Sequence, residues 1–119
     1  MSNEPRVIVH PDRDALLQVH TRRFIKRARQ VIDDFGEFTI ALTGGTLGID
    51  SLAAIASHPD RDSVDWSRVN IWWGDERWVP RSHPERNALQ ARSALLDHVA
   101  VDPARVHEFP ASDDGISLD

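Results

Sequence analysis

Two clusters of polar residues suit the binding of a small anion, and each follows an apolar segment. Asp75, Glu76 and Arg77 come directly after Gly74, where the apolar run 69–73 ends. Ligands of open α/β sheets bind at the carboxyl ends of the strands, so this cluster is a candidate site. Arg77 has a planar fork that suits phosphate or carboxylate, and Asp75 can orient a sugar hydroxyl or a water. The alternative is a surface salt bridge between Arg77 and one of the acids.

The second cluster is the glycine-rich turn Thr43-Gly44-Gly45-Thr46. Gly44 and Gly45 allow positive φ and a close approach of an anion to the backbone. A helix that begins here would direct free N–H groups at the anion, and both threonine hydroxyls could donate as well. The turn is neither a P-loop, which needs a Lys-Ser or Lys-Thr pair, nor the G-x-G-x-x-G dinucleotide fingerprint. A tight turn without a ligand is the alternative interpretation.

Metal and aromatic sites are not indicated. No two of the six histidines have the H-x-x-x-H spacing of a metal site, so we expect no metal. Trp72 and Trp73 would point to opposite faces of one strand. We therefore expect both rings in the core rather than on a stacking platform for bases.

Composition narrows the class of protein. The 119 residues suit a single domain, 1–119, and the net charge of -5 argues against nucleic acid as a partner. Basic residues crowd the segment 22–29, which we interpret as the solvated face of a helix. The chain has no cysteine, and no apolar run approaches the ~20 residues of a membrane span. We expect no secretory signal, no membrane contact and a cytoplasmic location.

The elements that must position the two clusters alternate between strand and helix. The predicted strands are Arg6–Val9, Phe38–Leu42, Val69–Trp73 and Val106–Phe109, and the predicted helices are Asp12–Phe35, 46–57 and 88–99, with an irregular tail at 111–119. This order predicts an α/β fold with a mostly parallel sheet and flanking helices. Right-handed crossovers would bring the ends of the second and third strands to one edge.

Four segments together are similar to the 6-phosphogluconolactonase family: ALTGGTLGI, VDWSRVNIWWGDERWVP, ERNALQARSALLDHV and RVHEFP. The resemblance implies a Rossmann-like fold related to glucosamine-6-phosphate deaminases and ribose-5-phosphate isomerases. It also implies hydrolysis of 6-phospho-D-glucono-1,5-lactone to 6-phosphogluconate, with no cofactor and a small phosphorylated sugar lactone as partner. The family's phosphate-side loop corresponds to Thr43, Gly44, Gly45 and Thr46. Its substrate contacts correspond to Asp75 and Arg77, and Asn87 matches an asparagine of the motif.

One departure bears on catalysis. The family carries its general-base histidine in a later Gly-x-Asp-Gly-His segment, whereas Asp114-Gly115 is followed here by Ile116. We therefore expect no catalytic residue in this chain, which resembles an amino-terminal half. Its sheet would be incomplete on the C-terminal side and would self-associate through an uncovered face. Two alternatives stay open: a non-catalytic sugar-phosphate-binding remnant, and a sugar-phosphate deaminase or isomerase relative.

Overall fold

The computed structural model describes residues 13–115, apart from the side chains of residues 46 and 47. The predicted strand Arg6–Val9, the helix cap at Asp12 and the last four residues of the predicted tail lie outside this range. The helices are α1 (Arg13–Phe35), α2 (Thr46–Ser57) and α3 (Asn87–Ala94), and the strands are β1 (Phe38–Leu42), β2 (Val69–Trp73) and β3 (Val106–His107).

Two element ends differ from the prediction. The third helix stops at Ala94 because Leu95 leaves the helical region at φ -138 and ψ -55, and a short 3₁₀ turn follows. β3 has two residues rather than four, and it pairs with β2 only opposite Ile71 and Trp72. Past that point the carbonyl of Phe109 accepts a hydrogen bond from the side chain of Arg86 instead of a strand partner.

The three strands of the described residues form a parallel sheet in the order β1-β2-β3. The register runs from Phe38 opposite Val69 to Leu42 opposite Trp73. The backbone N–H of Gly74 donates to the carbonyl of Leu42 at 3.0 Å and extends this pairing by one residue. The predicted α/β class with a parallel sheet is confirmed, and the loops that follow β1 and β2 leave the sheet at the same edge.

One face of the sheet carries the core. Val69, Ile71 and Trp73 alternate along β2 and are all buried. They belong to one apolar cluster with residues of all three helices: Ile25, Ala28, Leu52, Ile55, Ala88 and Ala91. Because only alternate β2 residues enter this cluster, the three helices pack on the same side of the sheet.

The opposite face remains open across the described residues. Thr39, Ala41 and Trp72 are exposed there. Trp72 is 48% exposed, and its ring stacks on the His107 imidazole with ring centroids 4.0 Å apart. The prediction of a core position is therefore confirmed for Trp73 and wrong for Trp72, because no described helix covers that face.

The long helix α1 explains the basic segment. Thr21, Ile25 and Ala28 are its buried residues, and its basic side chains are exposed: Arg22, Arg23, Lys26, Arg27 and Arg29. This is the amphipathic pattern of a surface helix with a solvated charged side. None of the described helices combines the length and the apolar character that crossing a membrane requires.

Candidate functional site

The loop after β1 depends on glycine at two positions, for different reasons. Gly45 adopts φ 88 and ψ 162, a backbone conformation that is essentially restricted to glycine. Gly44 has no positive φ, but a Cβ there would lie 2.2 Å from Oδ1 of Asn87. The glycines therefore let this loop turn into α2 while lying directly against the start of α3.

Asn87 joins the loop after β1 to the loop after β2. It is the first residue of α3 and is only 6% exposed. Its Nδ2 group donates to the backbone carbonyl of Asp75 at 3.2 Å and lies 3.4 Å from the Asp75 carboxylate. The amide of Asn87 therefore fixes the position of Asp75 while its Oδ1 contacts Gly44.

Arg77 is exposed beside these residues. Its backbone N–H donates to Glu76 Oε1 at 2.9 Å, so its Cα position is set by the loop. Within residues 13–115 its guanidinium takes part in none of the ion pairs, which all involve other arginines. The alternative of a surface salt bridge from Arg77 to Asp75 or Glu76 is therefore wrong.

Two adjacent cavities that share lining residues lie at this edge of the sheet. One of about 520 Å³ is lined by Thr43, Gly44, Gly45, Gly74, Asp75, Arg77 and Asn87. The other, of about 420 Å³, is lined by Gly45, Ile49, Asp50, Arg77, Glu85, Asn87 and Gln90. Gly45, Arg77 and Asn87 belong to both, and we call the two together the edge cavity. The volumes are those of a small-molecule site.

Six of the seven predicted site residues therefore line one cavity: Thr43, Gly44, Gly45, Asp75, Arg77 and Asn87. The seventh, Thr46, begins α2 at the end of the same loop. Juxtaposition does not establish ligand binding, so their roles toward a substrate stay predictions.

The two helices that begin at the edge cavity differ electrostatically. At α3 the first two backbone N–H groups, of Asn87 and Ala88, donate to the Glu76 carboxylate at 2.6 and 2.9 Å. At α2 the N-cap is Gly45, which has no side chain to accept such bonds. Because the first N–H groups of a helix lack intrahelical partners, the start of α2 suits an anion.

Sequence reasoning missed several residues of the cavity wall. Asp50 lies four residues after the start of α2, Gln90 lies three residues after the start of α3, and Glu85 lies in the loop before α3. Asp50 also forms an ion pair with Arg13 of α1 at 2.5 Å. The spacing from the first residue of each helix is the signal that could have found the first two, since residues three or four positions apart share one face of a helix.

No histidine lines the edge cavity in the described part of the chain, although His20 lines a neighbouring cavity of about 750 Å³ that shares Thr43, Gly44 and Gly45 with it. His83, the nearest histidine in sequence to the Asp75-Arg77 cluster, has its Nδ1 occupied by the backbone N–H of Glu85 at 3.0 Å. Residues 13–115 also contain no group of three or more acids and histidines that could hold a metal ion. The described walls of the edge cavity thus carry the guanidinium of Arg77 and the carboxylates of Asp50, Asp75 and Glu85, but no imidazole.

Comparison with known proteins gives the family. Residues 11–118 match the family model of glucosamine-6-phosphate isomerases/6-phosphogluconolactonase. A 6-phosphogluconolactonase of Streptomyces coelicolor is 45% identical over 113 residues, which is 95% of this chain and 43% of that protein. The chain thus spans less than half the length of this relative. Because the family model matches nearly the whole chain, the chain belongs to this family.

Solved structures agree on the fold. A 6-phosphogluconolactonase from Trypanosoma brucei superposes with a TM-score of 0.72 at 23% identity, covering 91% of this chain and 40% of that one. A monomeric glucosamine-6-phosphate deaminase superposes with a TM-score of 0.68 at 12% identity, covering 87% and 41%. At these identities the likeness establishes the α/β fold alone.

Proposed function

We propose that this member of the glucosamine-6-phosphate isomerase/6-phosphogluconolactonase family carries the phosphate- and sugar-binding part of a lactonase site. The reaction would be hydrolysis of 6-phospho-D-glucono-1,5-lactone to 6-phosphogluconate, without a cofactor. The observation that carries the proposal is the exposed guanidinium of Arg77, which has no ion-pair partner among residues 13–115 and lines one cavity with Gly45 at the start of α2.

The arrangement fits a phosphorylated polyol. Arg77 can bind a phosphate with two parallel hydrogen bonds while N–H groups of the first turn of α2 donate to its remaining oxygens. The carboxylates of Asp75 and Glu85 line the same cavity and can accept hydrogen bonds from ring hydroxyls. Asn87 holds Asp75 through its side-chain amide.

Hydrolysis needs one more group. Water must lose a proton as it attacks C1 of the lactone, the bond from C1 to the ring oxygen breaks, and that oxygen gains a proton. We assign the residues of the edge cavity to binding and orientation, and we assign the proton acceptor to none of them. The second candidate function is therefore sugar-phosphate binding without catalysis by the isolated chain. The absence of histidine from the described walls of the edge cavity favours it.

Among the alternatives within the family, lactone chemistry is better supported than deamination. The proteins with 45% and 51% identity to this chain are named 6-phosphogluconolactonases. The glucosamine-6-phosphate deaminase is 12% identical and supports only a shared fold.

Calorimetric titration with 6-phosphogluconate and with gluconate tests the binding role. We expect weak binding of the phosphorylated acid and much weaker binding of gluconate, because charge-assisted hydrogen bonds to phosphate contribute ~1.5–3 kcal/mol each. Arg77→Lys should weaken the binding of 6-phosphogluconate, because lysine lacks the bidentate fork. Arg68→Lys is the matched control, since Arg68 is also exposed but pairs with Asp65 away from the cavity. Equal affinity for the two acids, or equal effects of the two substitutions, would refute the proposal.

A further inference from the structure

The geometry points to Glu76 as a positioning residue of the edge cavity. Its carboxylate lies behind the cavity wall rather than in it, and it holds the backbone of two residues that line the cavity, Arg77 and Asn87. This inference rests on the proposed function, because the positions it explains are those assigned to phosphate and sugar binding.

The contacts of Glu76 join the loop after β2 to the start of α3. Oε1 accepts from the backbone N–H of Asn87 at 2.6 Å and from that of Arg77 at 2.9 Å. Oε2 accepts from the backbone N–H of Ala88 at 2.9 Å. The Glu76 side chain is 5% exposed, and its two bonds to the start of α3 are partly buried. One buried carboxylate thus fixes the spacing between the two cavity residues.

Arg86 stabilises this buried charge from the far side. Its side chain is 1% exposed, and its Nε lies 3.9 Å from Glu76 Oε2. Nη2 donates to the backbone carbonyl of Phe109 at 2.5 Å and lies 3.7 Å from the Glu108 carboxylate. Within the described residues Nε has no hydrogen-bond partner, so Arg86 is oriented by the segment after β3 and acts on Glu76 through charge.

Glu76 also determines which helix can receive an anion. Because its two oxygens accept from Asn87 and Ala88, the start of α3 is already occupied by a carboxylate. A second anion there would be repelled, whereas α2 begins at Gly45 with no side-chain cap. Glu76 therefore directs a ligand phosphate toward α2, on the side where Arg77 is unpaired.

The test compares Glu76→Gln, Glu76→Asp and a control, Val64→Ala. Glutamine keeps the shape but loses the charge and one acceptor, while aspartate keeps the charge on a shorter side chain. Val64 is buried outside the cavity walls, so its truncation lowers stability without touching the loops. Affinity for 6-phosphogluconate and for inorganic phosphate is measured at a temperature where each variant is folded, together with the amide NMR shifts of Arg77, Asn87 and Ala88.

We expect Glu76→Gln to weaken binding of 6-phosphogluconate about ten- to a hundredfold, the range for losing one hydrogen bond to a charged group. The three backbone amides and the Asn87 side-chain amide should shift. Glu76→Asp should lose less affinity, and Val64→Ala should keep both affinity and shifts.

Each result decides the inference. Wild-type affinity in Glu76→Gln, or a loss equal to that of Val64→Ala at equal stability, would overturn it while leaving the proposed function intact. If the unsubstituted chain binds neither 6-phosphogluconate nor phosphate, the proposed function fails. The positioning role is tested separately: unshifted backbone amides of Arg77 and Asn87 in the Glu76 variants would overturn it. If Glu76→Gln does not fold, Glu76→Asp decides: unchanged shifts and affinity there would refute the inference.

Discussion

Replacing Gly44 by alanine should disturb the edge cavity through a single contact. The new Cβ would lie 2.2 Å from Oδ1 and 2.7 Å from Cγ of Asn87, far inside van der Waals contact, so the Asn87 side chain must move. Moving it breaks its bond to the Asp75 carbonyl and leaves a buried amide without that partner. We estimate a destabilisation of about 1–3 kcal/mol, the cost of an unsatisfied buried polar group.

Gly36 provides a matched control for this substitution, and Gly45 provides a comparison within the same loop. Gly36 and Gly45 have φ 83 and φ 88, and a Cβ at either position would meet nothing within 4 Å. Gly36→Ala should therefore cost stability through backbone strain alone and leave ligand binding unchanged. Gly44→Ala has no positive φ to strain, so its effects should come from Asn87. Gly45→Ala should reduce both stability and binding, since it strains the loop that begins α2.

Thermal unfolding followed by calorimetric titration with 6-phosphogluconate separates these cases. A loss of 1 kcal/mol lowers Tm by roughly 4–8 °C in a domain slightly smaller than this one. We expect Gly44→Ala to lower both Tm and affinity, and Gly36→Ala to lower Tm only. A Gly44→Ala variant with wild-type Tm and affinity would show that Asn87 does not hold the cavity together, and the reasoning from this contact would be refuted.

Three further predictions follow from other parts of the molecule. First, the chain should hydrolyse 6-phosphogluconolactone no faster than matched buffer, because no histidine lines the described cavity walls; a rate above spontaneous opening that Arg77→Ala abolishes would reveal a base among these residues. Second, the open sheet face should cause self-association, which light scattering would detect and Trp72→Lys should reduce by charging that face; a concentration-independent monomer with a sharp unfolding transition would contradict this. Third, hydrogen bonds from Arg81 lower the pKa of Asp114, so this pair stabilises the fold above the unfolded pKa of about 3.9 and the contribution is lost as pH falls below it. Asp114→Asn should flatten the acid limb of a plot of Tm against pH, and an unchanged limb would exclude this pair as its source.

Patterns of local sequence predicted most of the fold. The apolar runs 38–42 and 69–73 are the strands β1 and β2 with the predicted bounds. Gly36 ends α1 with φ 83, as a C-terminal glycine does. Such features depend on residues a few positions apart, which is why periodicity and turn chemistry reveal them. The prediction was wrong for the end of α3, where Leu95 leaves the helical region, and for the length of β3, where Phe109 accepts a hydrogen bond from the distant side chain of Arg86.

The same distinction applies to the site. Residue types and strand ends predicted which loops meet at the sheet edge, because parallel strands bring their carboxyl ends together. They could not predict that Gly44 contacts Asn87, a pair 43 positions apart in sequence. Residue types also could not predict which arginines form ion pairs, since ion pairing depends on which acids lie nearby in space.

Asp75, Glu76 and Arg77 show how one short segment divides its charges. The first carboxylate lines the cavity, the second is buried and binds backbone N–H groups, and the guanidinium remains exposed and unpaired within the described residues. Were Glu76 in the cavity instead, it would neutralise Arg77 and repel a phosphate. Because Glu76 binds the start of α3, the proposed function leaves the positive charge of Arg77 and the start of α2 to act together on a phosphate. The charge that this segment presents to the cavity therefore depends on the burial of Glu76. The sequence Asp-Glu-Arg alone does not specify that burial.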